Sequence, residues 1–120
     1  MKSVIEIQSI IDNATGTTCH HKFSQIPGYP VITDGVFALA EAAGCYWLLD
    51  AIGSHQLNKK LDRAFQVWRL KVNIETKRAV LQGYNDVPLV VTQKIPCTSF
   101  PLEYLMLYLV DGVILLPSEY

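Results

Sequence analysis

The fold of this chain is decided by residues 29–56, which have the sequence YPVITDGVFALAEAAGCYWLLDAIGSHQ. Nearly every side chain in this stretch is apolar, so we expect it to form the centre of the core. The Thr33 hydroxyl can accept a hydrogen bond from a free backbone N–H, and Asp34 suits the positive end of a helix dipole. We therefore predict a helix from Asp34 to about Ala43.

Gly44 is expected to divide the stretch into two helices. A single unbroken helix would be roughly 34 Å long at about 1.5 Å per residue, which is long for a domain whose expected radius of gyration is about 14 Å. Glu41 and Asp50 would point to opposite sides of a straight helix, whereas a turn lets each segment direct its own carboxylate outward. Because glycine is common at a left-handed helix end, we predict a second helix from Cys45 to about Gln56.

The residues before this stretch predict one more helix and a turn-rich segment. Apolar residues at positions 4, 7, 11 and 14 follow the helical period, and Ser3 with Glu6 has the spacing of a capping box. Residues 3 to about 13 therefore favour an amphipathic helix, with a strand as the alternative because several residues are β-branched. Residues 15–30 are rich in glycine and proline and predict turns, with a short extended piece around residues 20–23.

After residue 56 the apolar pattern changes to that of strands. Between residues 64 and 74 the even positions are mostly apolar and the odd positions from 69 onward are polar, which predicts a strand with one buried and one wet face. Residues 79–84 are expected to form its hairpin partner and residues 89–95 a third strand. Pro96 confines pairing there to an edge or a strand end.

Asp111 and Gly112 mark the clearest hairpin of the chain. This pair tolerates positive φ at both positions, so a two-residue loop is expected to pair Val110 with Val113 and Tyr108 with Leu115. A helix over residues 102–109 is the competing interpretation, although Asp-Gly fits badly inside a helix.

Both faces of this hairpin are apolar. One is expected to lie on the helices, and the other then needs cover from another helix or a second subunit. The first face carries Leu105, Leu107, Leu109, Ile114 and Leu116, and the second carries Tyr104, Met106, Tyr108, Val110, Val113 and Leu115.

Helices followed by strands predict a single α+β domain over residues 1–120. We expect N-terminal helices packed on a C-terminal antiparallel β-meander of about four to five strands. Half of the residues are hydrophobic, while only 18% are charged against a usual value of about 25%. The low charge content favours self-association, so the expected partner is a second copy of the chain.

The cysteines Cys19, Cys45 and Cys97 are scattered and form no C-x-x-C pair, and the N-terminus has no signal-peptide pattern. We therefore expect a cytoplasmic protein with free thiols. Charges interrupt every apolar run before it reaches the about 20 residues that a membrane helix needs, so no membrane contact is expected. The glycines are isolated rather than gathered in a phosphate-binding loop, and no cofactor is expected.

Three segments carry a resemblance that covers most of the chain, from about residue 16 to the C-terminus. They are Thr33-Asp34-Gly35-Val36, residues 43–52 with the sequence AGCYWLLDAI, and residues 112–120 with the ending LPSEY. With them the chain resembles a small bacterial family of unknown function. The resemblance implies a bacterial source and a shared fold, and it carries over no catalytic residues. Cys45 stands where the family pattern has a small residue such as alanine, which argues against Cys45 as a required nucleophile.

The candidate site comprises Cys19, His20, His21, Asp34, Asp50 and His55. Metal sites need thiolates and imidazoles that converge at about 2.0–2.3 Å, and residues 19–21 could supply them together with His55 or Cys97. Adjacent histidines in a strand point to opposite faces, so only one of the pair easily joins a given site. A solvated loop with ordinary histidines is the favoured interpretation.

Catalysis would use Cys19 or Cys45 as a nucleophile and a histidine as its base. No nucleophile elbow or oxyanion loop supports this, and Cys45 in an apolar helix is expected to be an inert core thiol. Asp50, Ser54 and His55 include the residue types of a triad, but side by side on one helix they cannot form one.

A basic segment covers residues 59–78, in which Arg69 and Lys71 share a predicted strand face with Phe65. Such a surface could touch a single strand of nucleic acid. The net charge of −1 argues against a large basic face, and a solvated sheet face is favoured. Nucleic acid is therefore not the expected partner.

Together these patterns favour a non-catalytic interaction or structural module that acts as a homodimer. The alternative is a small enzyme or metal-binding protein that uses the loop of Cys19, His20 and His21.

Overall fold

The computed structural model describes residues 3–14 and 20–120 and confirms the α+β class. The α-helices are α1 (Val4–Asn13), α2 (Asp34–Ala43) and α3 (Tyr46–His55), and they precede every strand except the first. The strands are β1 (Val31–Ile32), β2 (Phe65–Asn73), β3 (Arg78–Tyr84), β4 (Leu89–Ile95), β5 (Tyr104–Val110) and β6 (Val113–Leu115), followed by a 3₁₀ helix over Pro117–Glu119. Within the described ranges, no helix combines the length and apolar character needed to cross a membrane.

The helix boundaries follow local signals in the sequence. Ser3 Oγ accepts a hydrogen bond from the backbone N–H of Glu6 at 3.2 Å, so α1 is a helix rather than the alternative strand. Thr33 Oγ1 accepts from the N–H of Val36 at 3.3 Å and begins α2. Gly44 ends α2 in the left-handed conformation, with φ 62°. The predicted break between α2 and α3 is therefore confirmed.

The break also allows the carboxylates of both helices to reach solvent. Glu41 and Asp50 are both exposed, each on its own helix. Tyr46 donates its hydroxyl hydrogen to Glu41 at 2.7 Å and thereby links the two helices across the turn. The Cα radius of gyration is 13.4 Å, in keeping with the expected size of the domain.

The strands form one sheet in the order β1-β6-β5-β2-β3-β4. All neighbours are antiparallel except β1 and β6, which run parallel. The sheet is thus larger than the expected meander by the two-residue strand β1, which lies between the predicted turns and the predicted start of α2. The backbone of His21 pairs with that of Ile32, and this confirms the extended piece near residues 20–23.

The Asp-Gly hairpin has the predicted register. Val110 pairs with Val113 and Tyr108 with Leu115, while Asp111 and Gly112 have φ of 49° and 80°. The competing helix over residues 102–109 is therefore wrong. The predicted inner face is buried throughout, with every member at most 3% exposed: Leu105, Leu107, Leu109, Ile114 and Leu116.

The outer face of the hairpin is only partly covered within one chain. Leu115 is 9% exposed and Tyr104 is 42% exposed. Met106, Tyr108, Val110 and Val113 are half-buried. The residues that contact this face include Tyr120, whose ring lies 5.4 Å from that of Tyr108 between centroids.

Trp68 is the largest buried side chain on the inner face of β2, at 1% exposure. Its Nε1–H donates to Gln66 Oε1 at 2.9 Å, which fixes the ring. The backbone of β3 runs against the ring at Gly83, where an added Cβ would lie 2.6 Å from a ring carbon. Only glycine fits at this point of the sheet.

The substitution Gly83→Ala is expected to destabilise the protein by about 1–3 kcal/mol, because the new methyl group must displace a fixed ring. Urea denaturation followed by circular dichroism measures the loss. In a Trp68→Leu background the same substitution should cost less, since the atoms that clash are gone. Equal costs in both backgrounds would show that the clash is not the cause.

Candidate functional site

Only two of the candidate residues are brought together among those the structure describes. Cys19 lies outside the described residues. His20 and Asp50 are exposed and His55 is half-buried, and none of them contacts the remaining pair. That pair is His21 and Asp34, whose Nε2 and Oδ1 atoms are 2.6 Å apart.

The backbone holds His21 beside the start of α2. The N–H of His21 donates to the carbonyl of Ile32 at 2.8 Å, and the N–H of Ile32 donates back at 2.9 Å. Asp34 follows Ile32 by two residues, so its carboxylate lies next to the imidazole. The His21 ring also lies 4.6 Å from that of Phe37 between centroids. The side chains of His21 and Asp34 remain 32% and 40% exposed.

Asp34 of this pair borders an open groove between α1 and α2 of about 350 Å³. Most of its walls are small or apolar, and the lining residues are Ser9, Ile10, Asn13, Ala14, Asp34, Gly35 and Ala38. An imidazole on a carboxylate can hold a proton or supply two metal ligands. A metal site needs more: within the described part of the chain, no three His, Cys, Asp or Glu side chains are placed to hold an ion.

His55 has a separate role at the end of α3. Its Nε2 lies 2.7 Å from Gln93 Oε1 on β4, and its ring stacks on Trp68 with centroids 5.7 Å apart. Ser54 donates its hydroxyl hydrogen to the carbonyl of Ala51 at 2.8 Å. Asp50, Ser54 and His55 therefore form no triad.

Cys45 is unsuited to nucleophilic chemistry. It is 1% exposed, and burial raises the pKa of its thiol to about 12. Since a thiolate is the reactive form, this thiol stays protonated and inert near neutral pH. Cys97 is a free, exposed thiol.

Sequence reasoning missed Glu119, which joins the C-terminal 3₁₀ helix to the start of α2. Its Oε1 accepts from the Thr33 hydroxyl at 2.6 Å and from the N–H of Leu116 at 3.1 Å. Its Oε2 accepts from the N–H of Gly35 at 3.3 Å. A carboxylate at a helix N-terminus is stabilised by the free N–H groups and the helix dipole.

Gly35 makes this contact sterically possible. A Cβ at that position would lie 2.6 Å from Glu119 Oε1. The signal that could have located the contact is the resemblance itself, because two of its three segments, residues 33–36 and 112–120, contain Thr33, Gly35 and Glu119. We call this contact the Glu119 clasp.

Glu119→Ala is expected to lower the free energy of unfolding by about 1.5–3 kcal/mol, because it leaves the buried Thr33 hydroxyl and two backbone N–H groups without their charged acceptor. Chemical denaturation measures the change. Glu75→Ala is the matched control, since Glu75 is exposed in the turn between β2 and β3. A Glu119 variant as stable as the Glu75 variant would contradict a stabilising role for the clasp.

Comparison with known proteins gives one match. Neither the curated proteins nor the solved structures include a match to this chain. The profile of a family of unknown function (DUF6876) matches residues 5–120, nearly the whole sequence. This agrees with the resemblance drawn from the three sequence segments. The chain therefore belongs to this family of unknown function, DUF6876.

Proposed function

We propose that this protein is a non-catalytic interaction module of the bacterial cytoplasm that acts as a homodimer. The bacterial source rests on the family resemblance, and the cytoplasmic location rests on the scattered cysteines, of which Cys45 and Cys97 are free thiols. The dimer rests on the outer face of the C-terminal hairpin. The surface concerned, here named the hairpin patch, consists of Phe65, Met106, Tyr108, Val110, Val113 and Tyr120.

The observation that carries the proposal is a half-exposed aromatic cluster in the hairpin patch. The rings of Phe65, Tyr108 and Tyr120 lie 5.4–5.8 Å apart between centroids, and the Tyr120 side chain remains 71% exposed. Aromatic residues are enriched at the centres of protein interfaces, where they bury a large area at a low entropic cost.

The composition of the hairpin patch fits contact with an identical surface. None of its six side chains carries a charge, so these side chains can meet those of a second copy without burying an unpaired ion. A two-fold dimer brings the same patch of both subunits together. Such a contact would supply the cover that the outer face of the hairpin lacks in a single chain.

We expect sedimentation equilibrium at micromolar concentration to give a mass of about 27 kDa, twice the 13.5 kDa of one chain. Tyr120→Glu and Met106→Glu should each shift the protein to the monomer, because each buries a carboxylate in an apolar contact.

Leu57→Glu is the matched control for these variants. Leu57 is apolar and 85% exposed, and it lies outside the hairpin patch, so this variant should remain dimeric. A monomeric wild type would overturn the dimer, and so would a control that dissociates as fully as the hairpin-patch variants.

A second candidate function is a small enzyme or metal-binding protein that uses the loop of Cys19, His20 and His21. The observation that favours it is the 2.6 Å contact between His21 Nε2 and Asp34 Oδ1, which brings one histidine to a carboxylate that lines a groove.

The second candidate predicts one zinc ion per chain after incubation with zinc and dialysis, as measured by mass spectrometry of the metal. His21→Ala should abolish this binding, because it removes the imidazole of the pair. His55→Ala is the control and should retain the metal. Absence of bound zinc in the wild type would argue against the metal form of this candidate.

A further inference from the structure

We propose that the outer face of the sheet binds single-stranded nucleic acid at the end that carries the β2–β3 turn, next to the hairpin patch. The surface concerned, here named the cationic patch, consists of Arg69, Lys71, Arg78 and Lys94 together with Tyr84 and Tyr104. The inference goes beyond the proposed dimer and does not depend on it.

The strand register places these residues on one face. Lys71 of β2 pairs with Tyr104 of β5 on one side and with Val80 of β3 on the other. Val80 in turn pairs with Lys94 of β4, so the row across the sheet contains two lysines and a tyrosine. Paired residues on neighbouring strands share a face.

Two further rows flank this one. Arg69 lies two residues before Lys71 on β2 and is therefore on the same face, about 6.6 Å along the strand. Arg78 pairs with Asn73, two residues after Lys71. The four cations thus lie in three successive rows at the end of the sheet that carries the β2–β3 turn.

No carboxylate stands among the outward-facing residues of these strands. Within residues 3–14 and 20–120, none of the four cations forms an ion pair, and the pair formed is that of His21 and Asp34. The outward positions are residues 65, 67, 69, 71 and 73 of β2, 78, 80, 82 and 84 of β3, 92 and 94 of β4, 104, 106, 108 and 110 of β5, and 113 and 115 of β6.

The net charge of −1 conceals this separation of charge. Residues 3–14 and 20–56, which contain the three helices and β1, have a single cation, Lys22, and five carboxylates: Glu6, Asp12, Asp34, Glu41 and Asp50. The cations are concentrated in the sheet half of the chain. A polyanion is therefore attracted to the sheet side and repelled from the helical side.

The structure holds the cations without neutralising them. The Arg69 guanidinium lies over the Tyr84 ring, with Cζ 5.2 Å from the centroid. Its buried Nε has no hydrogen-bond partner among the described residues. An open groove of about 510 Å³ at this end is lined by Lys71, Asn73, Thr76 and Arg78, among others.

Two carboxylates lie near this end, and among the described residues neither forms an ion pair with a cation of the patch. Glu75 in the turn and Glu103 before β5 line an adjoining groove, which shares Val72 and Asn73 with the first. Glu103 joins the backbone of Val72, its carbonyl accepting from that N–H at 2.8 Å, and Val72 belongs to the buried inner face. Within the described residues the four cations of the patch therefore have no carboxylate paired with them.

The tyrosines favour nucleic acid over other polyanions. A single strand offers phosphates for cations and unpaired bases that stack on aromatic rings, and both kinds of group alternate on such binding surfaces. Tyr104 is 42% exposed and lies beside Lys71. An acidic peptide has no base to stack, and an anionic membrane requires no ordered alternation of rings and cations.

Fluorescence anisotropy with a fluorescein-labelled oligothymidylate of about 20 nucleotides tests the proposal. We expect binding in about 20 mM KCl that weakens steeply toward about 200 mM, because phosphate contacts release counterions. The double variant Lys71→Glu/Lys94→Glu should lose at least tenfold in affinity. Tyr104→Ala should lose about tenfold with an unchanged salt dependence, because it removes stacking rather than charge.

The double variant Lys59→Glu/Lys60→Glu is the matched control. Both lysines are exposed in the segment between α3 and β2, and the change in charge is identical. This control should lose less than twofold. Tyr120→Glu, which tests the dimer, should also bind like the wild type, so the two proposals fail separately.

Three results would overturn the proposal. The first is no change in anisotropy in about 20 mM KCl, and the second is an equal loss in the Lys59/Lys60 control. The third is displacement of the labelled oligonucleotide by polyglutamate or phosphatidylserine vesicles as effectively as by unlabelled oligothymidylate, which would assign the surface to an acidic peptide or a membrane.

Discussion

The two-residue turn at Asp111 and Gly112 sets the register on which the other contacts depend. With positive φ at both residues, β6 folds back on β5 so that one set of side chains faces the core and the other faces outward. The free edge of β6 then receives β1, whose Val31 N–H donates to the carbonyl of Gly112 at 3.0 Å. β1 leads directly into the Thr33 cap of α2, and β6 leads into the 3₁₀ helix that returns Glu119 to that cap. A shift of one residue at the turn would expose the inner face of the hairpin and separate the Glu119 carboxylate from its donors at Thr33 and Gly35.

Elements with strong local signals could be predicted from the sequence, and those that depend on distant partners could not. The ends of α2 are set by Thr33 and Gly44, within the helix's own neighbourhood, and the β5–β6 hairpin is set by its turn. By contrast, β1 has two residues, too few for any periodicity, and it exists because β6 offers an edge. Glu119 lies 86 residues from Thr33, and no spacing rule in the sequence links them.

The same distinction applies to the functional surfaces. Of the candidate residues, His21 and Asp34 meet because a backbone bridge aligns the segments that carry them. His55, at the end of α3, instead contacts Gln93 on β4. Strand parity alone placed Arg69 and Lys71 on one face. Adding Arg78 and Lys94 required the register of three strands, which composition and net charge do not contain. Whole-chain charge is thus a poor guide when the two layers of a domain carry opposite charge.

Two glutamines buried between α3 and β2 fix the position of the helix on the sheet. Gln56 and Gln66 exchange hydrogen bonds between their side-chain amides, both at 2.9 Å, and Gln56 also donates to the carbonyl of Ile52 at 3.0 Å. A purely apolar contact allows a helix to slide, because one methyl group can take the place of the next. Two side-chain amides that hydrogen-bond to each other can do so at only one position of the helix along the sheet. The paired amides therefore select one position of α3 among many of comparable energy. Leucines in place of Gln56 and Gln66 would keep α3 packed on the sheet while allowing the helix to shift along it.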